Sequence, residues 1–199
     1  MKRMMLLCAV LLLLTGCSGV IPSNTLTVSP YTLSEREGQV VLKSGGGDFQ
    51  FFMLNGKPDA DEVVALIVEK WENGTFTGET TISWGGQEEG YRDELLSFGT
   101  IGGKNEDTTR LLVTGVPSGT NTGELNETVG IEMMCRIIPG KVRLKKEEPV
   151  YLAMWQGSDG ESLSCATNDT GALPDDVKRA DVAYLYKTIW TDEKNLENK

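Results

Sequence analysis

Clusters of glycine, asparagine and aspartate interrupt the chain at intervals of roughly ten residues, and this spacing constrains the fold more than any other feature. Asn55-Gly56 and Asn73-Gly74, for example, each follow a run rich in β-branched and aromatic residues. Glycine accounts for 23 of the 199 residues, which favours turns over helices. We therefore expect an all-β fold: a β-sandwich of about seven to nine mostly antiparallel strands, with at most one or two short helices.

The runs between the turns are the predicted strands. They cover residues 25–28, 39–42, 49–54, 63–71, 80–84, 110–116, 130–138, 150–155 and 181–190. Residues 63–71 also match one face of a helix with Asp61 as its N-cap, but a strand is preferred because most of them are β-branched and a hairpin turn follows. Residues 175–190 could likewise begin as a helix capped by Asp175 or Asp176, although their later half alternates as a strand does.

The N-terminus has the layout of a bacterial export signal. A basic start, Lys2-Arg3, precedes the apolar residues 6–14, a run shorter than the roughly 20 residues that a membrane-spanning helix needs. The run ends in Leu14-Thr15-Gly16-Cys17, which resembles the lipobox of bacterial lipoproteins. The resemblance implies cleavage between Gly16 and Cys17 and a diacylglyceryl group on the Cys17 sulfur.

The lipobox also sets the expected organisation and location of the protein. Residues 1–16 would be the lipoprotein signal peptide, 17–24 a lipidated tether and 25–199 a single β-sandwich domain. Loss of Lys2 and Arg3, with no acidic residue, shifts the formal net charge from −10 by two, to −12. An anionic membrane surface repels such a chain, whereas two acyl chains hold a protein stably. We expect a lipid-anchored protein at the cell membrane, facing outside the cytoplasm.

The chain from Phe49 onward resembles uncharacterised secreted domains of Gram-positive bacteria. The resemblance rests on an apolar strand that leads into Trp71-Glu72-Asn73-Gly74 and on the strand rich in tyrosine and tryptophan near residue 190. It implies a secreted β domain and no particular activity.

The composition excludes several kinds of site. With no histidine in the chain, Ser-His-Asp triads, Cys-His dyads and histidine-containing zinc sites are absent. A net charge of −10 argues against a nucleic-acid partner, because such binding depends on lysine and arginine at phosphates. No serine has a lysine three residues later, and no acidic run has the ligand spacing of a calcium loop. We expect no catalytic residues, no metal site and no cofactor.

The remaining interpretation is a non-catalytic binding or interaction module for a cell-wall, glycan or protein ligand. The alternatives are a carboxylate-based glycan hydrolase, which needs two facing acids, and an accessory subunit of an envelope complex. Exposed aromatic side chains would suit a sugar-binding surface, and the candidates are Trp71, Trp84, Trp155 and Trp190. All four lie at or near strand ends, where packing into the core or its rim is the preferred interpretation.

Two cysteines are left for a disulfide. Cys8 leaves with the signal peptide and Cys17 carries lipid, so Cys135 and Cys165 form the remaining pair in a compartment that permits oxidation. The alternative is that Cys135, in an apolar strand, serves as a small buried hydrophobic residue. Without Cys-x-x-Cys spacing, a bridge would be structural rather than redox-active.

Overall fold

Two antiparallel sheets packed face to face account for most of the structure, which confirms the predicted β-sandwich. The computed structural model describes residues 25–85, 89–102 and 109–197, with the backbone alone for Trp84 and Glu197. The predicted signal peptide, Cys17 and the tether lie outside these residues.

The first sheet has six strands and the second has five. The first is built from β1 (Leu26–Tyr31), β2 (Gly46–Gly56), β5 (Tyr91–Ile101), β6 (Leu111–Val116), β7 (Gly119–Glu124) and β9 (Val142–Arg143), in the spatial order β7-β6-β5-β2-β1-β9. The second is built from β3 (Glu62–Glu72), β4 (Thr75–Gly85), β8 (Ile131–Arg136), β10 (Val150–Ser158) and β11 (Val182–Asp192), in the order β4-β3-β11-β10-β8. Two short helices, α1 (Glu35–Lys43) and α2 (Lys194–Glu197), and a 3₁₀ turn at Asp175–Lys178 complete the described elements.

The main core lies between the sheets because apolar residues alternate along the strands. In the first sheet Phe52 and Phe98 are fully buried, and in the second Leu152 and Tyr186 face them. The rings of Phe98 and Tyr186 stack with centroids 5.4 Å apart and so join the two layers.

A second core covers the outer face of the second sheet. Residues 159–181, between β10 and β11, run over that face and bury Val177 against Met154 and Leu185. Asp176 fixes this covering segment, because its carboxylate accepts hydrogen bonds from the Ser164 hydroxyl and, at 2.7 Å, from the Ala166 amide. Since both faces of the sheet are covered, β10 is buried along its whole length.

The two segments that could be either helix or strand contain long strands. Residues 63–71 form β3, and Asn73 and Gly74 turn into β4 with φ angles of 50° and 71°, so the predicted hairpin is confirmed. Residues 175–190 begin with the 3₁₀ turn and continue as β11.

The strand predicted at residues 39–42 is wrong, because these residues lie in α1. Ser34 is the N-cap of this helix: its hydroxyl accepts from the Glu37 amide, and the Glu37 carboxylate accepts from the Ser34 amide at 2.7 Å. This capping box satisfies backbone groups at the start of the helix, which outweighs the β-branched Val40 and Val41.

The described residues hold eleven strands rather than seven to nine. The additional strands are β5, β7 and β9. β7 is exposed at all six positions and therefore shows no hydrophobic alternation. Within the described ranges, no helix is long and apolar enough to cross a bilayer.

Candidate ligand-binding cleft

The sandwich is open along one side, between the edge strand β4 of the second sheet and strands β6 and β7 of the first. The opening is a cleft of about 460 Å³. Its floor is apolar and consists of Val68, Ile82, Leu112 and the ring of Tyr184, and its walls carry Thr77, Thr80, Thr114, Asn121 and Thr122. An apolar cavity of this size with a few polar groups at its rim is the usual form of a ligand site.

Two glycines keep the cleft open. Gly78 pairs with Lys70 across β4 and β3, and Gly123 pairs with Leu112 across β7 and β6. A Cβ atom built on either glycine would meet no heavy atom within 4 Å, and neither glycine has a left-handed φ. The space at both positions therefore exists because a side chain is absent.

One end of the cleft carries a fully paired lysine. The Lys70 ammonium lies 2.9 Å from a carboxylate oxygen of Glu72, 2.9 Å from Oε1 of Glu127, and 5.6 Å from the centre of the Tyr184 ring. The Tyr184 hydroxyl donates to the same Glu127 oxygen at 2.6 Å. The other oxygen, Oε2, is buried and has no hydrogen-bond partner among the described residues.

These contacts shift the acid–base behaviour of the group. Burial tends to raise the pKa of Glu127, but the hydrogen bonds from Tyr184 and Lys70 outweigh it and hold that pKa below its usual range. Burial and the adjacent Glu127 carboxylate raise the pKa of Tyr184 to about 12. At neutral pH this end of the cleft therefore presents the ionised Glu127, the Lys70 ammonium group and a neutral Tyr184 phenol.

A second charged group lies on the opposite face of β3. The Lys187 ammonium contacts a carboxylate oxygen of Glu69 and lies 2.9 Å from one of Glu79. The Trp71 indole and the Tyr151 hydroxyl donate to Glu69 at 2.8 Å and 3.2 Å. Glu69 is 5% exposed and Lys187 is 8% exposed, so both charges are satisfied by each other inside the protein.

No family model, curated protein or solved structure matches this chain.

Lysine side chains bridge several of the described carboxylates. Lys70, Lys187 and Lys146 each lie between two carboxylates, Lys146 between Glu62 at 2.7 Å and Asp192 at 2.6 Å. Six described carboxyl groups have a lowered pKa, whereas the general acid of a glycosidase needs a raised one. These groups are Glu37, Glu62, Glu127, Asp175, Asp181 and Asp192. Among the residues that the structure describes, acidic and cysteine side chains form no group of three or more that could hold a metal ion.

The candidate tryptophans do not form one exposed surface. Trp155 is 2% exposed in the main core, and Trp190 packs against the same core while its indole donates to Glu62 at 2.9 Å. Trp71 packs against the second core, on the other face of the sheet. The side chain of Trp84 lies outside the described part of the chain. The three described tryptophans thus pack in or against the two cores, as the sequence favoured, and do not share one surface.

Cys135 and Cys165 form a disulfide, with their Cα atoms 6.1 Å apart. The bond joins β8 to the segment that covers the second core. The disulfide therefore lies away from the cleft and stabilises the packing of the covering segment on the second sheet.

Proposed function

We propose that this protein is a lipid-anchored binding module, outside the cytoplasm, that holds its ligand in the edge cleft and carries out no catalysis. The observation that carries the proposal is the cleft itself, with an apolar floor, polar walls and two glycines that leave room for a ligand. The pKa values of Glu127 and Glu62, which pair with Lys70 and Lys146, are lowered, and this favours binding over hydrolysis because a general acid needs a raised pKa. The lipobox supports the anchor.

A large side chain in place of Gly78 should fill part of the cleft and weaken ligand binding. In Gly78→Leu a branched side chain would occupy the space above Lys70, and we expect the affinity for a cleft ligand to fall at least about ten-fold. Stability should stay within about 1 kcal/mol of the parent, because the backbone is ordinary and β4 gains a side chain with better strand propensity.

The binding test uses the full chain in detergent, labelled for amide NMR. An N-acetylglucosamine oligosaccharide and a short peptide that alternates valine and lysine are titrated separately. Shifts at Thr80, Thr114 and Gly123 that vanish in Gly78→Leu would support the cleft. The matched control is Gly140→Leu, which also enters open space but lies between β8 and β9, at the other side of the sandwich. Absence of cleft shifts with either probe, or hydrolysis of the oligosaccharide, would contradict the proposal.

The anchor is tested by partitioning between detergent and aqueous phases. Expressed in a bacterium, the wild-type protein should enter the detergent phase, because two acyl chains give stable attachment. Cys17→Ala should leave the protein in the aqueous phase or with its signal peptide uncleaved. Cys8→Ala is the control, since it removes a thiol outside the lipobox and should keep the wild-type partition. Equal partitioning of wild type and Cys17→Ala, with the signal peptide removed from both, would rule out the lipid anchor.

A further inference from the structure

We propose that the ligand is an extended, basic peptide segment that adds to the second sheet as a strand beside β4. This inference rests on the proposed function, because it names the class of ligand for the same cleft. Four features carry it: the unequal widths of the sheets, the regular part of β4, the room above the glycines, and the distribution of charge.

The second sheet ends one strand before the first sheet does. β4 is its edge strand and contacts β6, while β7, the next strand outward in the first sheet, is exposed at every position. A strand placed beside β4 would lie opposite β7 and close the open side of the sandwich. The cleft is therefore located where a sixth strand of the second sheet would run.

β4 offers a regular template at this place. Its pairing with β3 has register shifts near each end, and the uninterrupted stretch from Gly78 to Thr81 lies between them. Thr80 pairs with Val68 of the main core and Gly78 pairs with Lys70, so these two residues face inward. Glu79, which pairs with Glu69, and Thr81 face the outer side. An edge strand presents backbone donors and acceptors on its unpaired side, to which an extended peptide can bond.

The inward side chains of such a peptide would find an apolar surface with space above it. Leu112 and Thr114 project from β6, and their partners on β7 are Gly123 and Asn121. Since Gly123 has no side chain, an aliphatic group of the peptide can reach Leu112. Alternate residues of the peptide should therefore be apolar.

The outward side chains would meet negative charge. Glu79 faces outward beside Lys187, and Glu124 lies at the end of β7. The charged residues at the cleft and behind it comprise five acids and two lysines, a net charge of −3: Glu69, Glu72, Glu79, Glu124, Glu127, Lys70 and Lys187. The whole chain carries −10, so a basic peptide is attracted and a second copy of this chain is repelled. The outward residues of the peptide should be lysine or arginine.

The experiment measures binding of labelled peptides to the full chain in detergent by fluorescence polarisation. The alternating valine–lysine peptide should bind and should compete with its unlabelled form. Replacing its lysines by glutamate should weaken binding about ten-fold or more. Two further peptides are N-methylated, one at the valines and one at the lysines. Because alternate residues of a strand bond on opposite edges, only one should lose affinity, by about ten-fold, and the other should stay within about three-fold.

The outcomes separate this inference from the proposed function. Equal binding by both methylated peptides, or equal loss in both, would overturn strand addition. If the cleft responds to the N-acetylglucosamine oligosaccharide and not to the peptide, the binding module stands and the peptide ligand is wrong. If it responds to neither, both proposals fail. A dimer in analytical ultracentrifugation that Gly78→Leu dissociates would identify a second copy as the occupant and would also overturn the inference.

Discussion

Replacing Cys135 and Cys165 together by alanine is expected to lower the free energy of unfolding by about 3–4 kcal/mol. The disulfide closes a loop of 30 residues and so restricts the unfolded chain. It also ties the covering segment to β8, next to the apolar side chains of the second core. Alanine is the better replacement at Cys135, which is 6% exposed, because serine would bury a hydroxyl group.

Urea unfolding followed by fluorescence measures the loss. Reduction of the wild-type protein with dithiothreitol should produce the same decrease in midpoint, and the same treatment should leave the double variant unchanged. A loss below about 1 kcal/mol would show that the disulfide is dispensable. The contacts of Val177 and the hydrogen bonds of Asp176 would then hold the covering segment by themselves.

Lys187→Met is expected to cost about 3–5 kcal/mol, because it removes one partner of a buried ion pair and leaves Glu69 charged without a counter-ion. Methionine keeps the length and apolar stem of lysine, so the change tests the charge rather than the packing. The effect should be large here since the side chains of Lys187 and Glu69 are 10% and 6% exposed.

Lys146→Met is the matched control. Lys146 also bridges two carboxylates, Glu62 at 9% and Asp192 at 24% side-chain exposure. Its own side chain is 38% exposed, so water reaches the site and the cost should be smaller, about 1–2 kcal/mol. In the double variant Lys187→Met with Glu69→Gln, much of the lost stability should return, because the buried Glu69 charge is removed and the Glu79 side chain is 25% exposed to water. Equal losses for Lys187→Met and Lys146→Met would contradict the role assigned to burial.

The hydrophobic runs of the sequence predicted most of the strands that face the core, but not β5, which buries Leu96 and Phe98. β3 and β11 have apolar or aromatic side chains at most positions and end at clear turns, so both were recognisable. The helix α1 could not be recognised in the same way, because none of its residues is buried. The hydrogen bonds between Ser34 and Glu37 at its cap stabilise the helical conformation instead. A short valine pair within an exposed helix resembles a strand when only propensity is considered.

The cleft depends on β7, a strand that the sequence did not predict. β7 contains glycine, threonine and asparagine at exposed positions, and its strand conformation comes from pairing with β6. The charged groups are equally non-local, since Lys187 lies 118 residues from Glu69. One local feature was available: Glu69 and Lys70 interrupt an apolar strand, and a strand places such neighbours on opposite faces. That pattern predicts two charged sites on β3, but not their partners.

The position of β1 determines how mechanical load would pass through the anchored protein. β1 is the first strand after the proposed tether, and its six residues pair with β2 while Thr27 and Val28 also pair with β9. Its side chains Leu26 and Val28 are fully buried in the main core. The cleft lies at the far edge of the same sheet, beyond β2 and β5. Tension between the membrane and a ligand in the cleft would therefore be distributed across several hydrogen-bonded strands before it reached the point of attachment.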